Sequence, residues 1–153
     1  MKNENNLQKF HNKAIYDYSL REIWPQEVLT ESKLLRDEKI NSEDFTELPL
    51  VTIDGEDAKD FDDAIFCKLS PNGFELYVAI ADVSFYVKEN SAIDMEARAR
   101  TTSTYMFRKV LPMLPEKLSN DLCSLKEGVL RKTLIVKINF DKAGNIEKYT
   151  FYR

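Results

Sequence analysis

The sequence contains a single histidine, and this scarcity excludes much catalytic chemistry. His11 lies in a polar N-terminal segment. Ser-His-Asp or Cys-His nucleophile systems and His-ligated zinc sites would all have to use it. The favoured interpretation is a solvated histidine in a loose tail.

Cysteines and long apolar runs are equally scarce. Cys67 and Cys123 are far apart in sequence and lie in apolar segments, which predicts reduced core thiols rather than a disulfide or a metal pair. No apolar run is long enough to cross a membrane, and no segment near Met1 is typical of a signal peptide, so we expect a cytoplasmic protein with no membrane partner. The net charge of −4 argues against nucleic-acid binding by bulk charge, although a local basic groove stays open.

The residue pattern predicts an α+β (mixed) fold, a mostly antiparallel sheet with interspersed short helices. Residues 1–47 form a lead-in arm, partly flexible: 1–13 loose, then a short helix from Pro25 through Leu29, then a charged connection. From residue 48 the pattern favours one compact domain. Its predicted strands cover 50–53, 64–69, 74–81, 133–140 and 145–152, and its helices cover 92–102 and a short segment ending at Ser119. Because a strand runs up to Arg153, we expect the sheet to continue in longer relatives.

The most unusual segment is residues 54–63, Asp-Gly-Glu-Asp-Ala-Lys-Asp-Phe-Asp-Asp, which carries a charge of −5. Everything outside it therefore sums to +1. Crowded carboxylates repel one another, so a fold retains them where cations bind. A short loop would bring the aspartates together, and oxygen ligands without His or Cys favour Mg²⁺, with Mn²⁺ as an alternative, over zinc. The candidate metal residues are Asp54, Asp60, Asp62 and Asp63.

Three interpretations of this acidic segment compete. An EF-hand calcium loop fails in every frame, because the glycine and the closing glutamate are not where the loop needs them. A solvated acidic turn is the commonest origin of such a run and is favoured on composition alone. A divalent-metal site for phosphoryl chemistry needs several short carboxylates from one or two segments, and this segment supplies them next to core-like strands.

A second segment supports the metal interpretation. Residues 98–109 carry four positive charges and no acid, interleaved with hydroxyls and aromatic rings. Cations for phosphates and aromatic faces for bases are the parts of a single-strand groove. Ordinary helix-end and core roles are the alternative for these residues. The candidate RNA-binding residues are Tyr105, Arg98, Arg100, Arg108 and Lys109.

Residues 48–64 resemble the signature of the RNB-domain exoribonucleases, and the ribonuclease R branch more than ribonuclease II. Residues 78–84, 93–100, 111–115 and 118–125 continue the match in the family's order. The resemblance covers about 48–153. It implies that the chain is the N-terminal part of a catalytic domain only.

The resemblance also implies a function. The family comprises Mg²⁺-dependent hydrolases that degrade single-stranded RNA from its 3′ end to nucleoside 5′-monophosphates. By resemblance, Asp54, Asp60 and Asp63 hold metal, Asp62 is the carboxylate most needed for the chemical step, and Tyr105 stacks on the terminal base. Asp82 belongs to a shared motif and is assigned a structural role.

The extent of the resemblance leaves enzymatic activity an open question. Later catalytic and RNA-gripping parts of the family would lie outside residues 1–153, and loss of a charge-stabilising group can cost orders of magnitude in rate. The sequence therefore leaves two hypotheses: a partial exoribonuclease, completed where needed by a second chain, or a non-catalytic fragment that acts as an RNA- or protein-interaction module or is a gene remnant.

Overall fold

A computed structural model describes residues 2–38 and 42–153. The chain divides into two compact units, one formed by the segment through Leu35 together with Val87–Glu116, and the other by Arg36–Tyr86 together with Lys117–Arg153. These units cut across the predicted boundary between residues 47 and 48. No helix among the described residues has the length and apolar character that a membrane crossing requires.

The first unit contains three helices and a small hairpin. Helix α1 spans Lys2–Asp17, α2 spans Gln26–Leu34 and α4 spans Ala92–Arg100, while α3 (Val83–Tyr86) belongs to the second unit. Strands β3 (Thr104–Met106) and β4 (Lys109–Leu111) pair as an antiparallel hairpin.

Helix α1 corrects the prediction of a loose N-terminal tail. Its polar side chains bond one turn apart, with Lys13 Nζ 2.7 Å from Asp17 Oδ2 and Gln8 Nε2 2.7 Å from Asn12 Oδ1. His11 is buried rather than solvated, and its ring Nε2–H donates to the carbonyl oxygen of Phe107 at 2.9 Å. The polar composition of this segment therefore did not indicate helix α1, which is stabilised by local side-chain pairs and by the buried His11 ring.

Helix α2 also extends further than predicted. It starts after Pro25, as expected, but continues to Leu34 because Val28 is buried and Glu31 accepts a 3.0 Å hydrogen bond from the backbone N–H of Ile93. Ser91 caps α4 as predicted, accepting from the Asp94 N–H. Residues 39–41 of the predicted charged connection lie outside the described residues.

The second unit is built on a four-stranded antiparallel sheet, which confirms the predicted fold class. Its strands are β1 (Asp63–Ser70), β2 (Gly73–Ala81), β5 (Thr133–Asp141) and β6 (Ile146–Tyr152), in spatial order β1-β2-β5-β6. The short helix α3 (Val83–Tyr86) follows β2, and a π-helical turn spans Leu118–Leu122. Gly73 is required at the β1–β2 turn, since a Cβ there would lie 2.1 Å from the carbonyl oxygen of Phe140.

The core of this unit lies on one face of the sheet. Tyr77, Ala79 and Ile135 form its buried centre. The partly buried residues packed against them are Phe45, Leu48, Leu50, Phe66, Leu125 and Tyr152.

The predicted strand at 50–53 is wrong. Only Val51 pairs, through two 2.9 Å backbone hydrogen bonds with Ile65. Leu48 and Leu50 turn into the core instead of continuing along the edge of the sheet. The segment that contains Leu48 and Leu50 therefore leads from the core into the acidic loop, and a single bridge at Val51 connects it to β1.

Candidate functional site

The acidic loop joins the Val51 bridge to the start of β1. Asp63 is the first residue of β1 and pairs with Ile80 of β2. The carbonyl oxygen of Asp62 accepts a 2.9 Å hydrogen bond from the N–H of Ala81. The last two aspartates are therefore fixed to the end of the sheet.

The middle of the loop is held by a buried hydroxyl. Ser124 is fully buried, and its Oγ donates to the Lys59 carbonyl at 2.7 Å and accepts from the Phe61 N–H at 3.1 Å. The Leu125 N–H adds a 2.9 Å bond to the Phe61 carbonyl. Asp60 lies between the two anchored residues, so the position of its backbone follows from Ser124.

A partly buried arginine in turn fixes the Ser124 segment. Arg131 donates from Nε to the Ser124 carbonyl at 3.0 Å and from Nη2 to Asp121 Oδ1 at 3.1 Å. Sequence reasoning missed both Ser124 and Arg131. The only available signal was that residues 118–125 continue the family match, which identified the segment without giving it a role.

The four predicted carboxylates influence one another electrostatically. Partial burial raises the pKa of the Asp62 carboxyl, and the negative charges of Asp60, Asp63 and Asp54 raise it further. This effect falls with distance, so each of these three carboxylates lies close enough to Asp62 for its charge to act on it. By contrast, Glu56 and Asp57 lie exposed in the same loop and do not contribute.

The aspartates of the acidic loop are not arranged as a formed metal site. Within residues 2–38 and 42–153, no three His, Cys, Asp or Glu side chains are arranged to hold one metal ion. The chemistry of the donor set suits a hard divalent cation, because all four predicted ligands are carboxylates.

Asp82, next to this site, has the contacts of a structural residue. It is buried, and its Oδ1 accepts from the Ser84 hydroxyl at 2.7 Å and from the Phe85 N–H at 3.1 Å. Its Oδ2 accepts from Arg153 Nε at 2.7 Å. These bonds start helix α3 and fix the chain after β2.

The two cysteines behave differently. Cys123 is buried, and burial together with the charges of Asp62 and Asp82 raises the pKa of its thiol to about 12, so the thiol stays protonated and inert. Cys67 is exposed on β1, so the prediction of a core position was wrong for this residue.

The predicted RNA-binding residues all belong to the first unit. Arg98 forms a one-turn ion pair with Asp94 at 3.0 Å. Arg100 is buried: it pairs with Glu96 at 2.9 Å and its guanidinium lies 3.6 Å from the centre of the Trp24 ring. Both pairings match the helix-end alternative, and the internal contacts of Arg100 leave little of its charge for a ligand.

The remaining candidates lie on the β3–β4 hairpin, which the sequence did not predict. Tyr105 and Phe107 are strongly exposed, and the Arg108 guanidinium lies 5.1 Å from the Phe107 ring centre. Lys109 is paired with Glu22. The hairpin therefore presents two aromatic faces with one arginine beside them.

Comparison with known proteins places this geometry in a family context. The RNB domain family model matches residues 42–153. Ribonuclease R of Acidithiobacillus ferrooxidans is 48% identical over 145 residues, which is 92% of this chain and 33% of that protein. Ribonuclease R of Escherichia coli K12 is 46% identical over 145 residues, or 91% of this chain and 18% of that protein.

A solved structure agrees with the sequence relatives. Mycoplasma genitalium RNase R in complex with double-stranded RNA superimposes with a TM-score of 0.86 at 41% identity. The match covers 90% of this chain and 26% of that chain. The chain thus spans between about a fifth and a third of the length of these relatives.

Proposed function

We propose, from the premise that this chain belongs to the RNB domain family, that it provides the acidic centre of a 3′-to-5′ exoribonuclease. The observation that carries the proposal is a group of four aspartates in one loop whose backbone is fixed by Ser124 and Ala81, with partial burial and then the neighbouring carboxylates raising the pKa of Asp62. The substrate is single-stranded RNA, and the products are nucleoside 5′-monophosphates. RNA complexes of a 41% identical structural relative support RNA as the ligand.

The aspartates divide into two roles. Asp54, Asp60 and Asp63 would hold Mg²⁺, or Mn²⁺, which supplies water activation and charge stabilisation at the scissile phosphate when bound. Asp62 is the carboxylate assigned to the chemical step, where it would accept a proton from the attacking water. Ser124 and Ala81 keep the backbone of the loop in place for both roles.

The exposed hairpin provides the RNA contacts. Tyr105 and Phe107 offer faces on which bases stack, and Arg108 offers a charge to a phosphate. Arg98 and Lys109 are engaged in surface ion pairs that an RNA phosphate can replace. Arg100 is left out of the proposed contact set because its ion pair with Glu96 is internal.

Metal binding is tested by thermal unfolding with added Mn²⁺ or Mg²⁺. We expect the cation to raise the Tm of the wild type, because it binds the folded state alone. At a hundredfold excess over its Kd, the free energy of unfolding should increase by about 2–3 kcal/mol. The double variant Asp54→Asn/Asp60→Asn should lose this shift. Asp57→Asn removes one charge from the same loop outside the ligand set and should keep it. Equal shifts in all three proteins would reject the site.

Catalysis is tested with 5′-labelled single-stranded RNA. The expected result is metal-dependent shortening from the 3′ end that Asp62→Asn abolishes, by a factor of about a hundred or more, and that Asp57→Asn retains. Chelation should stop the reaction reversibly. RNA that stays intact with the wild type under conditions where the cation raises its Tm would support the non-catalytic hypothesis instead.

A further inference from the structure

The β3–β4 hairpin, which carries the proposed RNA contacts, has an unusual turn. Phe107 and Arg108 are its two central residues, because Met106 pairs with Lys109. Arg108 has φ +59°, whereas Phe107 has no positive φ. These signs of φ are those of a type II turn, in which the second central residue is usually glycine or asparagine. Hairpins with two-residue loops favour type I′ or II′ turns instead, since a type II turn splays the strands.

The hairpin itself provides little support for this turn. Its strands are three residues long and form a two-stranded sheet, an arrangement that is marginally stable in isolation. The Met113 N–H donates to Ser103 Oγ at 2.9 Å, which closes the base of the hairpin. Lys109 pairs with Glu22 through its long side chain, and this contact does not fix the peptide planes of the turn. The turn therefore depends on a contact of its own.

His11 of helix α1 makes that contact. Its ring Nε2 lies 2.9 Å from the Phe107 carbonyl oxygen, and because a carbonyl can only accept, Nε2 carries the proton. The His11 residue is 8% exposed, so water competes little for this bond. Type I and type II turns differ by a rotation of the central peptide, and the Phe107 carbonyl belongs to that peptide. His11 therefore stabilises the orientation in which Arg108 has its positive φ.

The orientation of the central peptide determines how the side chains of the turn are presented. Its rotation would change the φ of Arg108, and with it the direction of the Arg108 side chain. In the observed orientation the guanidinium lies 5.1 Å from the Phe107 ring centre, so a cation and an aromatic face occur side by side. These are the groups that a phosphate and a base of single-stranded RNA would contact.

We propose that His11 is a positioning residue for RNA binding. Through its hydrogen bond to the Phe107 carbonyl, it keeps Phe107 and Arg108 in the arrangement that binds single-stranded RNA. The inference rests on the proposed function for its ligand. The role requires a donor at Nε2 and no change of charge, because helix α1 and the hairpin belong to one compact unit and meet at this bond.

The test is the affinity of the full chain for a 5′-fluorescein-labelled single-stranded RNA, measured by anisotropy in EDTA so that metal does not contribute. His11→Leu removes the donor and should weaken binding about three- to tenfold. His11→Gln places an amide N–H near the position of Nε2 and should restore most of the affinity, whereas the shorter side chain of His11→Asn should not. This second pair gives the same comparison if His11→Leu unfolds. Asn12→Leu alters the adjacent, exposed position of α1 and should bind as the wild type does.

A double-mutant cycle separates positioning of the turn from a general effect on helix α1. Arg108→Gly loses a cation and should itself weaken RNA binding, but glycine adopts positive φ at no steric cost. Adding His11→Leu to Arg108→Gly should therefore weaken binding further by about twofold at most, less than in the wild-type background. Equal losses in the two backgrounds would overturn the role of His11, and so would failure of His11→Gln to bind better than His11→Leu and His11→Asn.

Two further measurements keep this inference distinct from the proposed nuclease function. Tyr105→Ala tests the RNA contact of the hairpin without touching His11, and the Tm shift with Mn²⁺ tests the acidic loop. His11→Leu should keep the Tm shift. Weaker binding by Tyr105→Ala together with unchanged binding by His11→Leu would overturn the role of His11 alone. A wild type that binds no RNA would overturn the proposed RNA contact and this inference with it, whereas a retained Tm shift would still support the metal site.

Discussion

At the scale of single residues, one hydroxyl organises the proposed active loop. Ser124 contributes no charge and does not belong to the acidic motif, yet it bonds to the backbone on both sides of Asp60. Carboxylates that repel one another stay close only if their backbone is restrained. The conformation of the acidic loop therefore depends on Ser124 as well as on the aspartates of the loop itself.

Ser124→Ala should leave the Phe61 N–H and the Lys59 carbonyl without their buried partner. We expect a loss of about 1–3 kcal/mol in the free energy of unfolding, measured by urea titration. The Tm shift produced by Mn²⁺ should shrink as well, since the ligands lose their common support. The Ser119 hydroxyl bonds to the adjacent Asn120, so Ser119→Ala is the matched control and should change neither quantity. An unaltered metal response in Ser124→Ala would contradict the bracing role.

At the scale of elements, helix α4 is fixed by one buried carboxylate. Glu96 accepts from Arg21 at 2.9 and 2.6 Å and from Arg100 at 2.9 Å. Arg21 lowers the pKa of Glu96 most, with Arg100 adding to the effect. The arginines of residues 98–100 thus serve the helix as well as carrying charge.

This ion pair predicts a pH dependence of stability. A carboxyl whose pKa is lowered on folding stabilises the protein above its unfolded value of 4.5, and the contribution is lost as pH falls through the folded pKa. Glu96→Gln should therefore cost about 1–3 kcal/mol near neutral pH, toward the lower end because Arg21 is half exposed. The difference from the wild type should shrink below about pH 4 in urea titrations. Glu116→Gln, at an exposed position, should show no such convergence.

At the scale of the whole molecule, the acidic loop and the four-stranded sheet belong to the same compact unit. One face of the sheet is covered by segments of that unit, and Asp63 is the first residue of β1. Cation binding by the loop therefore depends on the folding of this unit, and the Tm shift with Mn²⁺ or Mg²⁺ measures that binding.

The sequence alone determined the features that depend on local pattern. Alternating residues around Ser70–Gly73 and around residues 141–144 predicted the β1–β2 and β5–β6 hairpins of the four-stranded sheet, and the Ser91 cap predicted the start of α4. The charge of residues 54–63 identified the candidate site, because six acids in ten residues are visible without a fold.

Tertiary structure decided what depends on distant partners. Helix α1 forms in a polar segment because His11 is buried against the Phe107 carbonyl, a contact 96 residues apart. Residues 50–53 are not a strand, because Val51 alone among them pairs with β1. The hydrogen bonds of Ser124 to the loop and the contact of Arg100 with the Trp24 ring arise only when segments far apart in the chain meet, and no periodicity in the sequence encodes such a meeting.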